Sequence, residues 1–393
     1  MLKRILSEKL VEASRKFPVV AVTGPRQAGK TTLVKHTFSD KPYVSLEDPD
    51  VRNFALSDPR GLLARHPDGM ILDEVQRAPN LLSFIQTIVD ESRKNGLFIL
   101  TGSHNLLLLE SISQTLAGRI RILNLLPFAV DELRHSSLFP STPESVIFQG
   151  FYPPLYDQRI EPSEWYPGYV ETYVERDVRM IKNIENLDSF RLFTRICAGR
   201  IAQTVNLSSI GNDCGITHNT AKSWLGILRT AFLVFLVQPY FKNFRKRLTK
   251  SPKLYFYDTG LASSLLGIEN ARQVETHPLR GALFENMVVS EIIKRRFNLG
   301  KRPNLYYWRD KTGREVDCIL DRGTSLDALE IKAGRTVSFD MFRNLISWKN
   351  LAMKNLAMAE EVRTFLVHAG DMSFTHCGTE VLPWNDLGPI GET

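Results

Sequence analysis

At 393 residues, 43% of them hydrophobic and 24% charged, the chain is long enough for two to four domains with their own cores, and its composition excludes a disordered or fibrous protein. A formal net charge of +7 permits a polyanionic partner without demanding one. Four cysteines without CxxC spacing, Cys197, Cys214, Cys318 and Cys377, exclude a disulfide scaffold and point to reduced thiols in a cytoplasmic protein.

Met1-Leu2-Lys3-Arg4 leads into an amphipathic helix with Glu8 and Glu12. No long apolar stretch follows, so it does not read as a signal peptide. No run approaches the ~18 apolar residues that span a bilayer, and no membrane partner is expected. Val19-Val20-Ala21-Val22 reads as a buried strand. Behind it, Gly24-Pro25-Arg26-Gln27-Ala28-Gly29-Lys30-Thr31 completes a GxxxxGK[ST] loop, and Thr31-Thr32-Leu33-Val34-Lys35 opens a helix. The glycines let backbone N–H groups curl round phosphate oxygens, and the helix N-terminus adds partial positive charge. Lys30 reaches the β/γ-phosphates of ATP and the Thr31 hydroxyl ligates Mg²⁺. Arg26 contacts phosphate or solvent.

Met70-Ile71-Leu72-Asp73-Glu74 is an apolar strand ending in two acids. Asp73 is expected to hold Mg²⁺ through its water shell, and Glu74 to polarise the attacking water. Leu97–Thr101 is a further strand, ending in Gly102-Ser103-His104-Asn105. Ser103 or Asn105 is the candidate γ-phosphate sensor, because polar groups at a strand's C-terminal end face the ligand crevice; His104, alone, is structural. Candidate strands at 19–23, 43–46, 70–73, 97–101 and 120–125 alternate with helices and predict a parallel sheet covered on both faces.

Residues 127–167 read as a connector with a helical lid, and 168–184 as a helix. Phe190–Ala202 is expected to form one helix. Leu207–Cys214, a glycine turn and His218–Phe235 then read as a helix-turn-helix with Thr217 as N-cap. His218, Asn219, Thr220, Lys222 and Ser223 form the face from which bases are read. Six of the twelve residues in 242–253 are basic. The stretch reads as the wing of a winged helix, contacting double-stranded DNA, lying solvated, or packing between subunits.

In the C-terminal third, Asp317 lies on one strand and Glu330 and Lys332 share a face of the next, since strand side chains alternate. Glu285 sits beside the apolar stripe of a helix. Three carboxylates and a lysine can hold a divalent cation against a phosphodiester; they can equally form a salt-bridge set.

The stretches GPRQAGKTT, MILDE and TGSHNLLLLESISQTLAGRI resemble the AAA+-type archaeal and bacterial ATPases. TYVERDV, KSPKLYFYDTGLASSLLG, GALFEN and WRDKTGREVDCIL with LEIKAG resemble the C-terminal domain of unknown function that accompanies them. The resemblance reaches to about Thr336. It implies an α/β protein: a P-loop core (1–126), a connector and helical lid (127–185), a winged helix-turn-helix (186–257) and a module similar to PD-(D/E)xK nucleases (258–393). Asp317, Glu330 and Lys332 match that nuclease motif, with Glu285 as the upstream acid, although Val316 stands where the motif has proline. Arg119 resembles a family arginine that reaches a neighbouring subunit's γ-phosphate in a homo-oligomer; a salt bridge within the domain is the alternative. The expected activity is ATP hydrolysis coupled to DNA binding and metal-dependent cleavage, or an ATP-controlled switch or scaffold with an inert nuclease-like domain.

Overall fold

The computed structural model describes residues 2–102, 115–178, 184, 186–240, 251–355 and 361–391. Ser103, His104, Asn105 and the wing residues 242–250 lie outside them.

Five strands, β1 (Val19–Thr23), β2 (Tyr43–Ser45), β3 (Met70–Asp73), β4 (Phe98–Gly102) and β5 (Ile120–Asn124), form a sheet of order β2-β3-β4-β1-β5. Every pairing in it is parallel. β1, β3 and β4 are buried along their whole length, as a sheet covered on both faces requires. Val19 and Ala21 enter one core with Leu72, Ile85 and Leu100. Val20 and Val22 enter the other with Leu6, Leu10 and Leu33. β1 and β3 have the expected bounds, and β2, β4 and β5 differ from theirs by one residue at an end or ends. The strand order sets β4 between β1 and β3, so the ends of all three converge on one crevice. Gly24 leaves β1 at φ +153°, and a Cβ there would lie 1.9 Å from the Leu125 carbonyl oxygen; no other residue fits.

Two short helices, Pro153–Asp157 and Pro162–Tyr169, each open with proline in the first turn, where its missing N–H costs nothing. The second runs on into a wider π-type stretch, Val170–Val178. The next helix is Leu187–Gly199, three residues earlier than expected at each end. Its start is fixed by Asn186, whose side chain accepts from the Ser189 amide at 2.9 Å. Leu207–Cys214 and His218–Thr230 are joined by a turn with Gly215 at φ +66°. Thr217 caps the second helix through the Thr220 amide at 3.1 Å.

β6 (Val234–Pro239) and β7 (Lys253–Phe256) pair antiparallel, but they do not stand apart as a hairpin. Gln238 and Pro239 of β6 pair parallel with Tyr306 and Tyr307 of β8 (Leu305–Arg309). With β9 (Glu315–Asp321), β10 (Ser325–Lys332), β11 (Glu361–His368), β12 (Phe374–His376) and β13 (Thr379–Pro383), they complete an eight-stranded sheet of order β12-β13-β11-β10-β9-β8-β6-β7. The expected boundary at 257/258 therefore falls inside one continuous sheet. The long helix Arg280–Asn298 packs against β7 and β10. Helix Arg343–Asn355 contributes Leu345, Trp348 and Ala352 to the core that holds Ile319, Ala328 and Leu366. Among the described residues no helix is long and apolar enough to cross a membrane.

Candidate active site

Lys30 is the first residue of helix Lys30–Thr37, entered through Gly29 in the left-handed region. Its ammonium is buried and donates to the carbonyls of Gly24 at 3.0 Å and Pro25 at 2.8 Å. Burial pushes it down to about 8, against the pull of Glu74 and Asp73. Thr31 Oγ1 lies 2.9 Å from Asp73 Oδ2, so hydroxyl and carboxylate stand side by side across the crevice. Asp73 also accepts from the Tyr43 hydroxyl at 2.7 Å and from the Thr101 hydroxyl. Sequence reasoning missed both donors; the available signal was that each sits in a strand neighbouring β3 or at its end. Glu74 has φ +55°, an uncommon setting for a residue with a Cβ. Its carboxylate accepts from Gln76, and its amide meets Thr101 Oγ1 at 3.3 Å.

Lys30, Thr31, Asp73 and Glu74 line a cleft of about 600 Å³. Gly29, Lys30, Thr31, Thr32, Arg26 and Gln27 form its floor, with Asp73 and Glu74 beside them. The segment 153–165 contributes Pro153, Pro154, Asp157, Gln158, Ile160 and Trp165. Ala28 of the loop is fully buried. Arg4, also missed from sequence, is buried there. Its guanidinium donates to the Ala28 carbonyl at 2.9 Å and the Leu126 carbonyl at 2.6 Å, and pairs with Glu132 at 3.0 Å.

Arg119 is not brought to this cleft. It precedes β5, whose Ile120 pairs with Val19 while Asn124 pairs with Thr23 beside the loop. That puts it at the opposite end of the sheet, where Nη2 donates to Asp90 Oδ2 at 2.9 Å. Within the chain it forms the ion pair with Asp90 that was the alternative expectation; the other expectation, a neighbouring subunit's γ-phosphate, concerns a second copy.

The C-terminal cluster assembles, but with a member that sequence reasoning placed elsewhere. Lys253, counted among the wing basics, is buried on β7. It pairs with Glu285 at 2.9 Å and with Glu315, and the Tyr255 hydroxyl donates to Glu285 at 2.6 Å. Lys332 pairs with Glu330 at 2.6 Å and reaches Asp317 at 3.9 Å. Asp317 also accepts from the Ile331 amide at 2.8 Å. Burial, then the Asp317 charge, pushes Glu330 up to about 8 and Glu285 up to about 7. Among the described residues no three His, Cys, Asp or Glu side chains are arranged to hold a metal ion. In the expected metal set Glu285, Asp317 and Glu330, the carboxylates are paired with Lys253 and Lys332. Glu330 Oε2 is nonetheless buried without a hydrogen-bond partner.

His218, Asn219 and Lys222 are exposed at the start of their helix. Asn219, Lys222 and Ser223 line a hollow of about 770 Å³ whose other wall includes Ile293, Phe297 and Leu305. Three of the five residues of the expected reading face thus line a concavity.

Residues 16–134 match the family model described as AAA domain. Residues 142–272 and 280–387 match two families described as domains of unknown function, DUF8612 and DUF4143. An uncharacterised protein of Mycobacterium tuberculosis, Rv2008c, is 29% identical over 382 residues, covering 96% of this chain and 82% of the relative. An uncharacterised protein of Mycobacterium bovis, Mb2031c, gives the same figures. Among solved structures, the Walker-type ATPase PabY2304 of Pyrococcus abyssi is 17% identical with a TM-score of 0.45, covering 66% of this chain and 94% of that one. A RuvB variant of Thermotoga maritima is 16% identical with a TM-score of 0.29, covering 59% and 88%.

Proposed function

We propose that this chain, an AAA-type P-loop ATPase domain joined to a C-terminal domain of unknown function, binds ATP with Mg²⁺ in the loop cleft and hydrolyses it there. The observation that carries this reading is the contact between Thr31 and Asp73 at 2.9 Å, flanked by a buried Lys30 bonded to its own loop carbonyls. A hydroxyl and a carboxylate side by side are a hard-oxygen donor pair that suits Mg²⁺. Thr31 would hold the ion directly and Asp73 through water. When bound, Mg²⁺ supplies neutralisation of the charge on the phosphates. Lys30 exchanges the Gly24 and Pro25 carbonyls for phosphate oxygens, which answer its charge better. The Glu74 carboxylate orients a water in line with the γ-phosphorus. Asp73 keeps its place through the hydroxyls of Tyr43 and Thr101.

The test is ATP turnover and nucleotide binding on three chains. Lys30→Ala should lose nucleotide affinity by roughly tenfold or more, because a charge-assisted contact is removed. Glu74→Gln should bind ATP as the parent does but hydrolyse it roughly a hundredfold more slowly, the scale of lost general-base assistance. Parent-like turnover in Glu74→Gln would place the catalytic carboxylate elsewhere.

A second reading is favoured by the orphaned Glu330 Oε2: the C-terminal cluster accepts a divalent cation and cleaves DNA held by the helix-turn-helix. It requires Lys253 or Lys332 to give way. Calorimetry with Mn²⁺ and a plasmid-nicking assay on the parent and Asp317→Ala decide it. Metal binding and nicking, both lost in the variant, support the reading; neither in the parent ends it.

A further inference from the structure

We propose that the base of ATP lies against Trp165, on a platform that the segment 153–169 supplies to the cleft. This deepens the ATP-binding reading and rests on it. The two ends of the cleft differ in chemistry. Every residue the ATPase core contributes to its lining, from Arg26 to Glu74, is glycine, polar or charged. That end suits phosphates and offers a flat aromatic base nothing to pack on. The cleft's apolar surface comes from the segment 153–165, in Pro153, Pro154, Ile160 and Trp165, beside the polar Asp157 and Gln158 of the same segment. Stacking on an aromatic face is the general means by which proteins hold a base regardless of its edge.

The platform is braced. Trp165 stacks on Tyr169 with ring centroids 4.8 Å apart and planes 19° apart, and meets Tyr152 at 4.9 Å. The Tyr169 hydroxyl lies 3.0 Å from that of Tyr152 and donates to the carbonyl of Arg26 in the loop at 3.4 Å. Tyr166 is anchored from behind, its hydroxyl donating to the buried Asp258 at 2.6 Å. The aromatic wall is thus tied at once to the phosphate loop and to the rest of the chain. Trp224, Trp308, Trp348 and Trp384 are buried, whereas Trp165 is half-buried and keeps part of its surface on the cleft. The turn that brings it there holds Arg159 at φ +55°, a conformation retained where surroundings enforce it. A segment within the region matching a domain of unknown function thereby completes the nucleotide site of the AAA domain.

The test uses the full chain and two ligands, Mg·ATP and Mg·tripolyphosphate, the second carrying phosphates and no base. Trp165→Ala should weaken ATP binding about tenfold, the scale of one lost stacking contact, and leave tripolyphosphate binding within about twofold. Trp165→Phe should recover most of the ATP affinity. ATP, and not tripolyphosphate, should shield the parent's tryptophan emission from acrylamide, and Trp165→Phe should lose that shielding. Equal loss of both ligands in Trp165→Ala, or loss of neither, overturns the platform while leaving the phosphate site standing. Shielding by both ligands alike overturns it too. A parent chain that binds neither ligand overturns the phosphate site, and the platform with it.

Discussion

Burial, before any partner, sets the chemistry of Glu330. Its carboxyl titrates near 4.5 in the open chain and is pushed up to about 8 in the fold, by desolvation first and by Asp317 second, with Lys332 opposing. The folded state therefore binds the proton more tightly than the unfolded one. The stability this group contributes is present in full below pH 4.5 and is lost as pH rises through about 8. Glu330→Gln keeps the shape without the charge. Its melting temperature relative to the parent should climb across that window, read by thermal scans at several pH values. A constant difference across the window would mean that Glu330 is not the group titrating. Lys253 makes a related point. As a letter in a basic run it reads as a phosphate contact; as a buried ammonium between Glu285 and Glu315 it is committed to the cluster.

Helix boundaries here follow from caps a few residues long. Asn186, Asn206 and Thr217 each accept from the amide three residues on, at 2.9, 3.0 and 3.1 Å. Such caps satisfy otherwise orphaned N–H groups and can be read from a short window of sequence. Strands are different. β6 and β7 are visible as apolar runs, yet nothing local says that the end of β6 pairs with β8. That pairing is decided by which edge lacks a partner, because an exposed row of N–H and C=O groups is a liability. It places β6 and β7, the strands flanking the expected wing, in one eight-stranded sheet, with Lys253 on β7 in the C-terminal cluster.

Across the whole molecule, the two clusters are joined by one chain of contacts. The P-loop carbonyl of Ala28 is held by Arg4, Arg4 by Glu132, and Glu132 also accepts from the Ala129 amide at 2.9 Å. The next amide, Val130, donates at 2.7 Å to Glu291 on the long helix that carries Glu285. Arg119 lies off that chain of contacts, at the end of the sheet opposite its own nucleotide cleft, and we propose that in an assembly of copies it reaches the γ-phosphate of a neighbour. On that proposal, Arg119→Ala chains mixed with Lys30→Ala chains regain part of the ATPase activity that each lacks alone. No recovery, in a preparation shown to exchange subunits, assigns Arg119 to its pair with Asp90.

The sequence by itself determined the phosphate loop, the Asp73-Glu74 strand end, the alternating core and the two helices on either side of Gly215, because each depends on residues close in the chain: a glycine spacing, an apolar period, a cap. It also found Glu285, Asp317, Glu330 and Lys332, since strand alternation and helix period fix relative faces. Only the tertiary structure decided what those groups meet. Arg4 behind the loop, Tyr43 and Thr101 on Asp73, Lys253 among the acids and Trp165 across the cleft are brought in by strand order and interdomain packing. Those depend on contacts between distant segments, and no local pattern encodes them.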